Sequence, residues 1–343
     1  MSKNADVKNV NVSRMDSDGD IKIRPDSLDS LIGRKREKKI IKMAINGAKK
    51  RNEPLDHILF YGPPGLGKTT FAFVVAKELG VTVKITSGPA IERQGDLAAI
   101  VSNLKEGDIL FIDEIHRLNK NVEEILYPAM EDFALDIVVG KGVGAKSMRL
   151  SLPPFTLIGA TTRLSLLSPP LRDRFGILLH LDFFNIDDLV SIILRASGVL
   201  GVNIDEQAAV EIAKRSRGTG RVAVRLLRRV RDMMDDVASK VITKQVALKA
   251  LDTLGIDEFG LDDLDRKILQ IMINSFDGGP VGLSTLASAV AEDKSTLSDV
   301  VEPFLIKAGL IQRTHRGRVV TDLGYKHLGL NAQHRHNEGL NFN

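Results

Sequence analysis

Apolar residues recur along the chain in two periods, and the change from one period to the other marks the expected elements. Short apolar runs suit buried strands, whereas apolar positions three and four residues apart suit helices with one buried face. In the first half of the chain the two patterns alternate, which is typical of βαβ units around a parallel sheet with helices. The expected strands are 57–61, 81–85, 109–112, 155–160 and 177–181, and the helical patterns include 68–79, 97–104 and 121–130.

Two short strand-like runs, 136–140 and 147–151, interrupt this alternation and are joined by a glycine-rich stretch at 141–146. This arrangement predicts a protruding β-hairpin near 136–151. Val138 and Val139 are adjacent, so a strand would send them to opposite faces. Either one of them points outward as a contact for a partner, or the hairpin packs on both faces; both interpretations stay open.

Only the helical period continues from 184 to 256, which predicts a small helical domain after a large domain at 21–183. The stretch 257–265 is acidic and glycine-spaced, as expected of a linker. Within 257–330 the order is helix, helix, helix and hairpin, which predicts a winged helix. Such a domain can place one helix in a DNA groove, and a protein-binding winged helix is the alternative.

The composition narrows the class of protein. A chain of 343 residues exceeds what one hydrophobic core usually serves. It has no cysteine, which excludes disulfides, zinc–thiolate sites and cysteine nucleophiles. Residues 1–20 are polar and contain no signal peptide or membrane span, so we expect a disordered tail there, a second tail at 331–343, and a cytoplasmic protein with no membrane partner. The net charge of +4 is mild, although arginines cluster at 225–231 and 313–318.

Residues 62–69 read Gly-Pro-Pro-Gly-Leu-Gly-Lys-Thr, a complete match to the phosphate-loop pattern G-x-x-x-x-G-K-[ST]. Glycines let successive backbone N–H groups point into one concavity. Lys68 reaches the β- and γ-phosphates, and Thr69 offers its hydroxyl to Mg²⁺. An expected strand precedes the loop and an expected helix follows it, so this segment predicts binding of a nucleoside triphosphate.

An apolar run that ends in Asp113 and Glu114 reads as a Walker B strand. Asp113 would hold Mg²⁺ through water, and Glu114 would orient and deprotonate the attacking water. The next strand ends in Thr161 and Thr162, whose hydroxyls would lie near the γ-phosphate or cap a turn.

Three arginines extend this set. Arg172 and Arg174 follow a Pro-Pro break and would serve a neighbouring subunit's nucleotide as arginine fingers, or form surface salt bridges. Arg221 opens a helix of the small domain and would fold over the phosphates. Spacing by itself leaves these alternatives open.

In chain order, the phosphate loop, Asp113-Glu114, Gly159-Ala-Thr-Thr162, Arg174 and Arg221 resemble the AAA+ ATPases. Longer runs resemble the RuvB family of Holliday-junction branch-migration motors: DHILFYGPPGLGKTT (56–70), TSGPAI (86–91), GDLAAI (95–100), DEIHRL (113–118), YPAMEDF (127–133) and GPVGL (279–283). The resemblance spans about 21–330. It implies an AAA+ parallel sheet with helices on both faces, then a helical lid and a C-terminal winged helix.

The resemblance also implies roles for single residues. Asp113 and Glu114 are the Walker B pair, Arg174 is the trans-acting finger, and Arg221 is the second sensor. Thr161 or Thr162 is the first sensor. The residues implied in binding ATP and Mg²⁺ are Ile23, Arg24, Gly65, Gly67, Lys68, Thr69, Thr70, Glu131, Asp132, Phe133, Thr161, Phe184 and Arg221.

The implied partners follow from the same resemblance. The family works as a hexamer on Holliday-junction or duplex DNA. RuvA, the partner that grips the junction, is implied to dock at the 136–151 hairpin, and RuvC joins the resolving complex. Arg313 and Arg318 are implied as contacts to the DNA backbone, and Arg316 lies on the same basic turn.

The chain departs from the family pattern at three positions near these residues. Arg34 stands where Gln is common, Phe184 where Tyr is usual, and Gly220 where Pro usually precedes Arg221. None of these changes removes a reacting group. Phe184 lacks the hydroxyl that could bond the nucleotide, and Gly220 loosens the turn that presents Arg221.

The expected function is therefore an ATP-driven DNA translocase that moves four-way junctions in recombination and repair. A clamp-loader-like or protein-remodelling AAA+ ATPase is the first alternative. A nucleotide-switched DNA-binding module is the second, and Glu114 argues against it because a switch that does not hydrolyse ATP needs no base.

Overall fold

The computed structural model describes residues 23–139 and 146–330. The expectations for the tails at 1–20 and 331–343, and for the hairpin turn, lie outside the described residues. The chain divides into two compact units. The first ends at Phe184 and also takes in Gly198–Gly201, and the second contains Asn185–Ser197 and the chain from Val202 onward. In the described part, no helix has the length and apolar character needed to cross a membrane.

A five-stranded sheet, all parallel, forms the centre of the first unit and confirms the predicted fold class. Its order is β2-β3-β6-β1-β7. The strands are β1 (Ile58–Tyr61), β2 (Val83–Ser87), β3 (Ile109–Asp113), β6 (Thr156–Thr161) and β7 (Ile177–His180). β2 begins two residues later than predicted because the Val81 N–H donates to the Ala76 carbonyl, closing the preceding helix around Gly80.

Helices cover both faces of this sheet, as the alternation of side chains along β1 shows. Ile58 and Phe60 point into one apolar cluster and Leu59 into the other, and all three are fully buried. The helices of this unit are α1 (Lys35–Arg51), α2 (Lys68–Leu79), α3 (Gln94–Val101), α4 (Lys120–Glu131) and α5 (Pro169–Asp173). Because β1 is buried on both faces, it is apolar at nearly every position.

Two further strands, β4 (Ala134–Val139) and β5 (Lys146–Ser151), pair antiparallel beside the sheet. Their register sets Ala134 opposite Ser151. Near the base of the pair Leu135 is buried in the core, whereas Met148 is 54% exposed. The side chains of Val138 and Val139 lie outside the described residues, so the question of which one points outward stays a prediction.

In its described residues the second unit is helical apart from one β-hairpin and two isolated β-bridges, Ile204–Ile242 and Val281–Arg318. Its first helices are α6 (Ile186–Val199), α7 (Glu206–Lys214), α8 (Gly220–Asp236) and α9 (Lys244–Thr253). The winged-helix part contains α10 (Asp263–Phe276), α11 (Leu283–Val290), α12 (Lys294–Thr296), α13 (Glu302–Lys307), the antiparallel strands β8 (Ile311–Thr314) and β9 (Gly317–Val320), and α14 (Asp322–His327). This order confirms the predicted winged helix.

The third helix of the winged helix differs from the prediction of one helix over 295–308. A π-helical turn, Leu297–Val301, separates α12 from α13. Pro303 has no N–H, so it cannot donate to the carbonyl four residues earlier. The proline stands in the first turn of α13, where that donor is not needed. The hydrogen-bond ladder therefore changes spacing just before it.

Candidate active site

The phosphate loop leaves β1 at the carboxyl edge of the sheet, with β6 on one side and β7 on the other. Gly62, Gly65 and Gly67 have φ angles of 139°, 78° and 89°. These values lie in the left-handed region that favours glycine. A Cβ atom at Gly62 would lie 2.2 Å from the Leu181 carbonyl oxygen, so no other residue fits there.

The start of α2 is built to hold an anion. Its N-cap, Gly67, has no side chain to accept the first N–H groups, and the first turn contains no acidic residue. Lys68 is only 8% exposed, and its Nζ donates to the carbonyls of Gly62 and Pro63 at 2.8 Å each. The ammonium group and the positive end of the helix dipole thus lie in the same concavity, as phosphate binding requires.

Asp113 and Glu114 follow directly at the end of β3. The Glu114 N–H donates to Oδ1 of Asp113 at 2.9 Å, and Glu114 adopts a left-handed φ of 47°. Its Oε2 accepts a hydrogen bond from Nη1 of Arg117 at 2.9 Å. Sequence reasoning missed Arg117, although the spacing of three residues was a usable signal.

The two threonines after β6 differ in environment. Thr161 is 1% exposed, its Oγ1 lies 2.9 Å from Nδ1 of His116, and it accepts from the Arg163 N–H at 3.0 Å. Thr162 comes after the strand and is half-buried. The Thr161 hydroxyl is thus already engaged by protein groups. His116 lies in the family-like run 113–118, but no role was predicted for it.

The segment from Ile23 packs along the helix that follows the phosphate loop. Ile23 is buried, and the Arg24 guanidinium lies 4.4 Å from the centre of the Phe73 ring on α2. Further along, the Leu28 N–H donates to the Glu78 carboxylate at 2.9 Å. These contacts place Arg24, which the resemblance implies in nucleotide binding, against the helix that follows the phosphate loop.

Two of the positions at which the chain departs from the family pattern contact each other. The Arg34 guanidinium lies 4.2 Å from the centre of the Phe184 ring. Arg34 has a left-handed φ of 56° and is the N-cap of α1. A cation over an aromatic face is favourable, so the two departures form one pair.

Arg174 is held by an aromatic ring and a carboxylate of α4. Its guanidinium lies 4.4 Å from the Tyr127 ring centre, and its Nη2 lies 3.1 Å from Oε2 of Glu131. Nη1 donates to the Pro170 carbonyl at 2.7 Å. Tyr127 and Glu131 are four residues apart and so share a helix face. The next residue, Asp132, pairs with Arg149 of β5.

Arg221 is the second residue of α8 and belongs to the second unit, where it is exposed. The N-cap of α8 is Thr219, whose Oγ1 accepts from the Val222 N–H at 3.3 Å. Gly220 is therefore the first helical residue, a position that also suits proline.

The wing carries less uncompensated positive charge than its sequence indicated. Arg313 and Arg318 are directly opposite each other on β8 and β9, and both bond the buried carboxylate of Glu302. Four hydrogen bonds of 2.8–3.2 Å join the two guanidiniums to Glu302. Burial acts to raise the pKa of Glu302, but the bonds from the arginines outweigh it and lower the pKa. Arg316, at the turn, is exposed.

A phosphate loop, a Walker B strand and a parallel sheet with helices on both faces define a P-loop ATPase of the AAA+ class, here followed by a winged helix. Three family models match it: the Holliday junction DNA helicase RuvB P-loop domain over residues 23–181, the RuvB AAA lid domain over 184–257, and the RuvB C-terminal winged helix domain over 258–329. The chain belongs to the RuvB family and is an ATP hydrolase.

Relatives of known identity agree with this assignment. The chain is 56% identical over 318 residues to the Holliday junction branch migration complex subunit RuvB of Dehalococcoides mccartyi, covering 93% of this chain and 91% of that protein. The structure of the Thermotoga maritima RuvB Holliday junction branch migration motor is 51% identical with a TM-score of 0.83, covering 90% of this chain and 99% of that one. A mutant of the same protein is 52% identical, also with a TM-score of 0.83 and the same coverage.

Proposed function

We propose that this chain is the ATP-driven motor of a branch-migration complex, working as a hexamer that moves Holliday-junction or duplex DNA. The observation that supports this proposal most directly is that one chain contains both an ATPase site and a winged helix, in the domain order of RuvB. We assign the ATPase domain to 21–183, the lid to 184–256 and the winged helix to 257–330, and place the protein in the cytoplasm.

The phosphates of ATP would lie on the N–H groups of the loop and on Lys68, with Thr70 in the first turn beside them. Mg²⁺ would be held by the Thr69 hydroxyl and by Asp113 through water, and would neutralise charge on the phosphates. In the described part of the chain no three His, Asp or Glu side chains cluster into a metal site. Mg²⁺ at a nucleotide commonly takes only one or two protein ligands together with the substrate phosphates.

Glu114 is the base that orients and deprotonates the attacking water. Its Oε2 accepts a hydrogen bond from Arg117, and because a carboxylate has about four acceptor sites, the other oxygen remains for that water. We assign the first sensor to Thr162 in preference to Thr161, because the Thr161 hydroxyl is already bonded to His116 and to the Arg163 N–H.

Arg174 would act on the nucleotide of a neighbouring subunit. An arginine supplied in trans stabilises charge in the transition state and can be worth about 10³ to 10⁵ in rate. Tyr127 and Glu131 fix the guanidinium from two sides. Hydrolysis would therefore depend on assembly of the hexamer.

The remaining nucleotide contacts are assigned from the family pattern. Ile23, Arg24 and Phe184 lie beside the adenosine, and Arg221 is the second sensor. The segment Glu131-Asp132-Phe133 lies next to Arg174 and would complete the neighbour's site.

DNA would be bound through its phosphates by the wing, with Arg316 exposed at the turn and Arg313 and Arg318 beside it. RuvA would dock on the 136–151 hairpin, where Met148 presents an exposed apolar side chain. RuvC would join the same complex at the junction.

The test measures ATP turnover against protein concentration, with and without junction DNA. We expect turnover per chain to rise with concentration and with DNA. Arg174→Ala should lower turnover, and mixing it with Glu114→Gln should restore part of it, because the intact Walker B pair of one chain then meets the intact arginine of a neighbour. Glu114→Gln should lower turnover by about 10²- to 10⁴-fold with ATP binding kept.

Two results would contradict the proposal. A flat concentration dependence without DNA stimulation would favour a protein-remodelling ATPase. Unchanged turnover in Glu114→Gln would favour a nucleotide-switched DNA-binding module.

A further inference from the structure

Arg217 joins the lid to the winged helix within the second unit. It stands in the loop between α7 and α8, has a left-handed φ of 52°, and its side chain is 13% exposed. Its Nη2 lies 2.6 Å from Oδ2 of Asp262 and 2.7 Å from Oδ2 of Asp265. Its Nε donates to the Gly260 carbonyl at 2.9 Å, and its guanidinium lies 4.9 Å from the centre of the Phe304 ring. All of these partners lie within 257–330, the range assigned to the winged helix.

The backbones of the two parts also touch at this point. Gly260 has a φ of 83°, and a Cβ atom there would lie 2.7 Å from the Arg215 carbonyl oxygen. Only glycine allows this approach. The loop that ends the lid's α7 and the segment that leads into α10 are therefore packed directly against each other, with the Arg217 side chain across the join.

The acidic partners of Arg217 are part of the winged helix's own structure. Asp262 is the N-cap of α10 and forms a capping box with Asp265. Asp265 is fully buried, and burial raises its pKa to about 6. Removing Arg217 would leave the buried carboxylate of Asp265 without its cation, which is strongly unfavourable. The first helix of the winged helix is therefore held at its N-terminal end by a residue of the lid.

Arg217 is also close in sequence to the residue proposed to sense the nucleotide. Thr219, two residues later, caps α8, and Arg221 lies in the first turn of that helix. A displacement of this helix end moves Arg217 with it, because Thr219 is bonded to Val222 at the start of α8 and its N–H donates to the Ser216 carbonyl at 3.0 Å, on the other side of Arg217. A change at Arg221 can therefore reach the winged helix through four residues of chain and the ion pairs of Arg217 with Asp262 and Asp265.

We propose that Arg217 is a positioning residue that couples the lid to the winged helix, so that movement of the lid during ATP turnover displaces the DNA-binding domain. The proposal rests on the proposed functions of Arg221 and of the winged helix. Without Arg217 the enzyme would hydrolyse ATP while its winged helix fails to follow the lid.

The first test compares ATP turnover with migration of a synthetic four-way junction, using the full-length protein together with its junction-binding partner. The variants are Arg217→Ala and Arg217→Lys, which keeps the charge but loses the planar fork. The matched control is Arg229→Ala, an exposed lid arginine on α8 that pairs with Asp232. We expect base pairs migrated per ATP to fall about tenfold in Arg217→Ala, less in Arg217→Lys, and not in Arg229→Ala.

A second measurement reports the distance between the lid and the winged helix and does not depend on ATP turnover. The chain has no cysteine, so Gln245→Cys in the lid and Lys294→Cys in the winged helix, both exposed, can carry a pair of spin labels. We expect one narrow distance distribution with ATP and with ADP in the otherwise unchanged protein. Arg217→Ala, and Arg217→Lys to a smaller extent, should broaden it.

The results separate the possible failures. An unchanged ratio of migration to ATP in Arg217→Ala, or a distance distribution as narrow as in the parent, would overturn the proposal. Equal loss of turnover and migration would assign Arg217 to catalysis or folding and would also overturn it. Failure of the wild-type protein to migrate junctions would instead contradict the proposed function.

Discussion

At the residue scale, most of the side chains proposed for catalysis are already held by a protein partner. Glu114 is bonded to Arg117, Lys68 to the carbonyls of Gly62 and Pro63, and Arg174 to Glu131. Such contacts fix the position of each side chain before the substrate arrives. Because a carboxylate has about four acceptor sites, the bond from Arg117 leaves Glu114 able to accept from the attacking water as well.

The pair formed by Arg34 and Phe184 gives the first prediction. Arg34→Gln, Phe184→Ala and the double variant form a cycle in the free energy of unfolding by urea. We expect a coupling energy of about 0.5–1 kcal/mol, as for a partly exposed cation over an aromatic ring. Additive effects would show that the 4.2 Å contact contributes nothing. Arg36→Gln, on the exposed side of α1, is the control.

At the element scale, the half-buried His57 links the sheet to α4. The Leu157 N–H donates to Nδ1 of His57 at 2.9 Å, so Nε2 carries the proton and donates to the Met130 carbonyl at 3.0 Å. Burial lowers the pKa of His57. The ring joins the start of β1 to the neighbouring strand β6 and to the helix that supports Arg174, and it does so only in its neutral form.

A pH dependence of stability follows from this arrangement. The unfolded chain takes up a proton on His57 near its ordinary pKa of 6.5, whereas the folded chain does so only at lower pH. His57 therefore stabilises the fold above about pH 6.5, and this contribution is lost as the pH falls toward its lowered pKa, with a slope of at most about 1.4 kcal/mol per pH unit. Thermal unfolding between pH 7 and 5 should show a smaller loss in His57→Gln than in wild type. Equal losses would contradict the assignment.

At the scale of the whole molecule, ATP hydrolysis can be coupled to DNA binding without direct contact between the ATPase domain and the winged helix. The winged helix carries its basic wing on two antiparallel strands braced by Glu302, and it is attached to the lid through Arg217. Two guanidiniums on one carboxylate leave a net positive charge at the wing. That charge suits contact with phosphate and carries no base specificity.

Binding of duplex DNA should accordingly depend on salt and little on sequence. Arg316→Ala should lower the slope of log affinity against log salt by about 0.9, the value for one phosphate contact. Arg229→Ala in the lid should leave the slope unchanged. Fluorescence anisotropy over a range of salt concentrations measures both, and an unaltered slope for Arg316→Ala would place the DNA elsewhere.

The sequence by itself determined the order of elements and the chemical types at the site. Local signals carried this information: the strand, loop and helix around Gly62–Thr69, the apolar run into Asp113, and the change to a purely helical period after residue 184. The prediction from the sequence missed the break before Pro303, because an apolar helical period looks the same whether or not one turn is π-helical.

Only the tertiary structure decided which groups bind one another. The ion pairs Arg174–Glu131 and Arg217–Asp262 join residues 43 and 45 positions apart, and His116 meets Thr161 across a similar separation of 45. No periodicity or spacing encodes such pairs, since they depend on how strands and helices are stacked in space. The chain specifies its chemistry locally, and the fold decides the partners by which that chemistry is positioned.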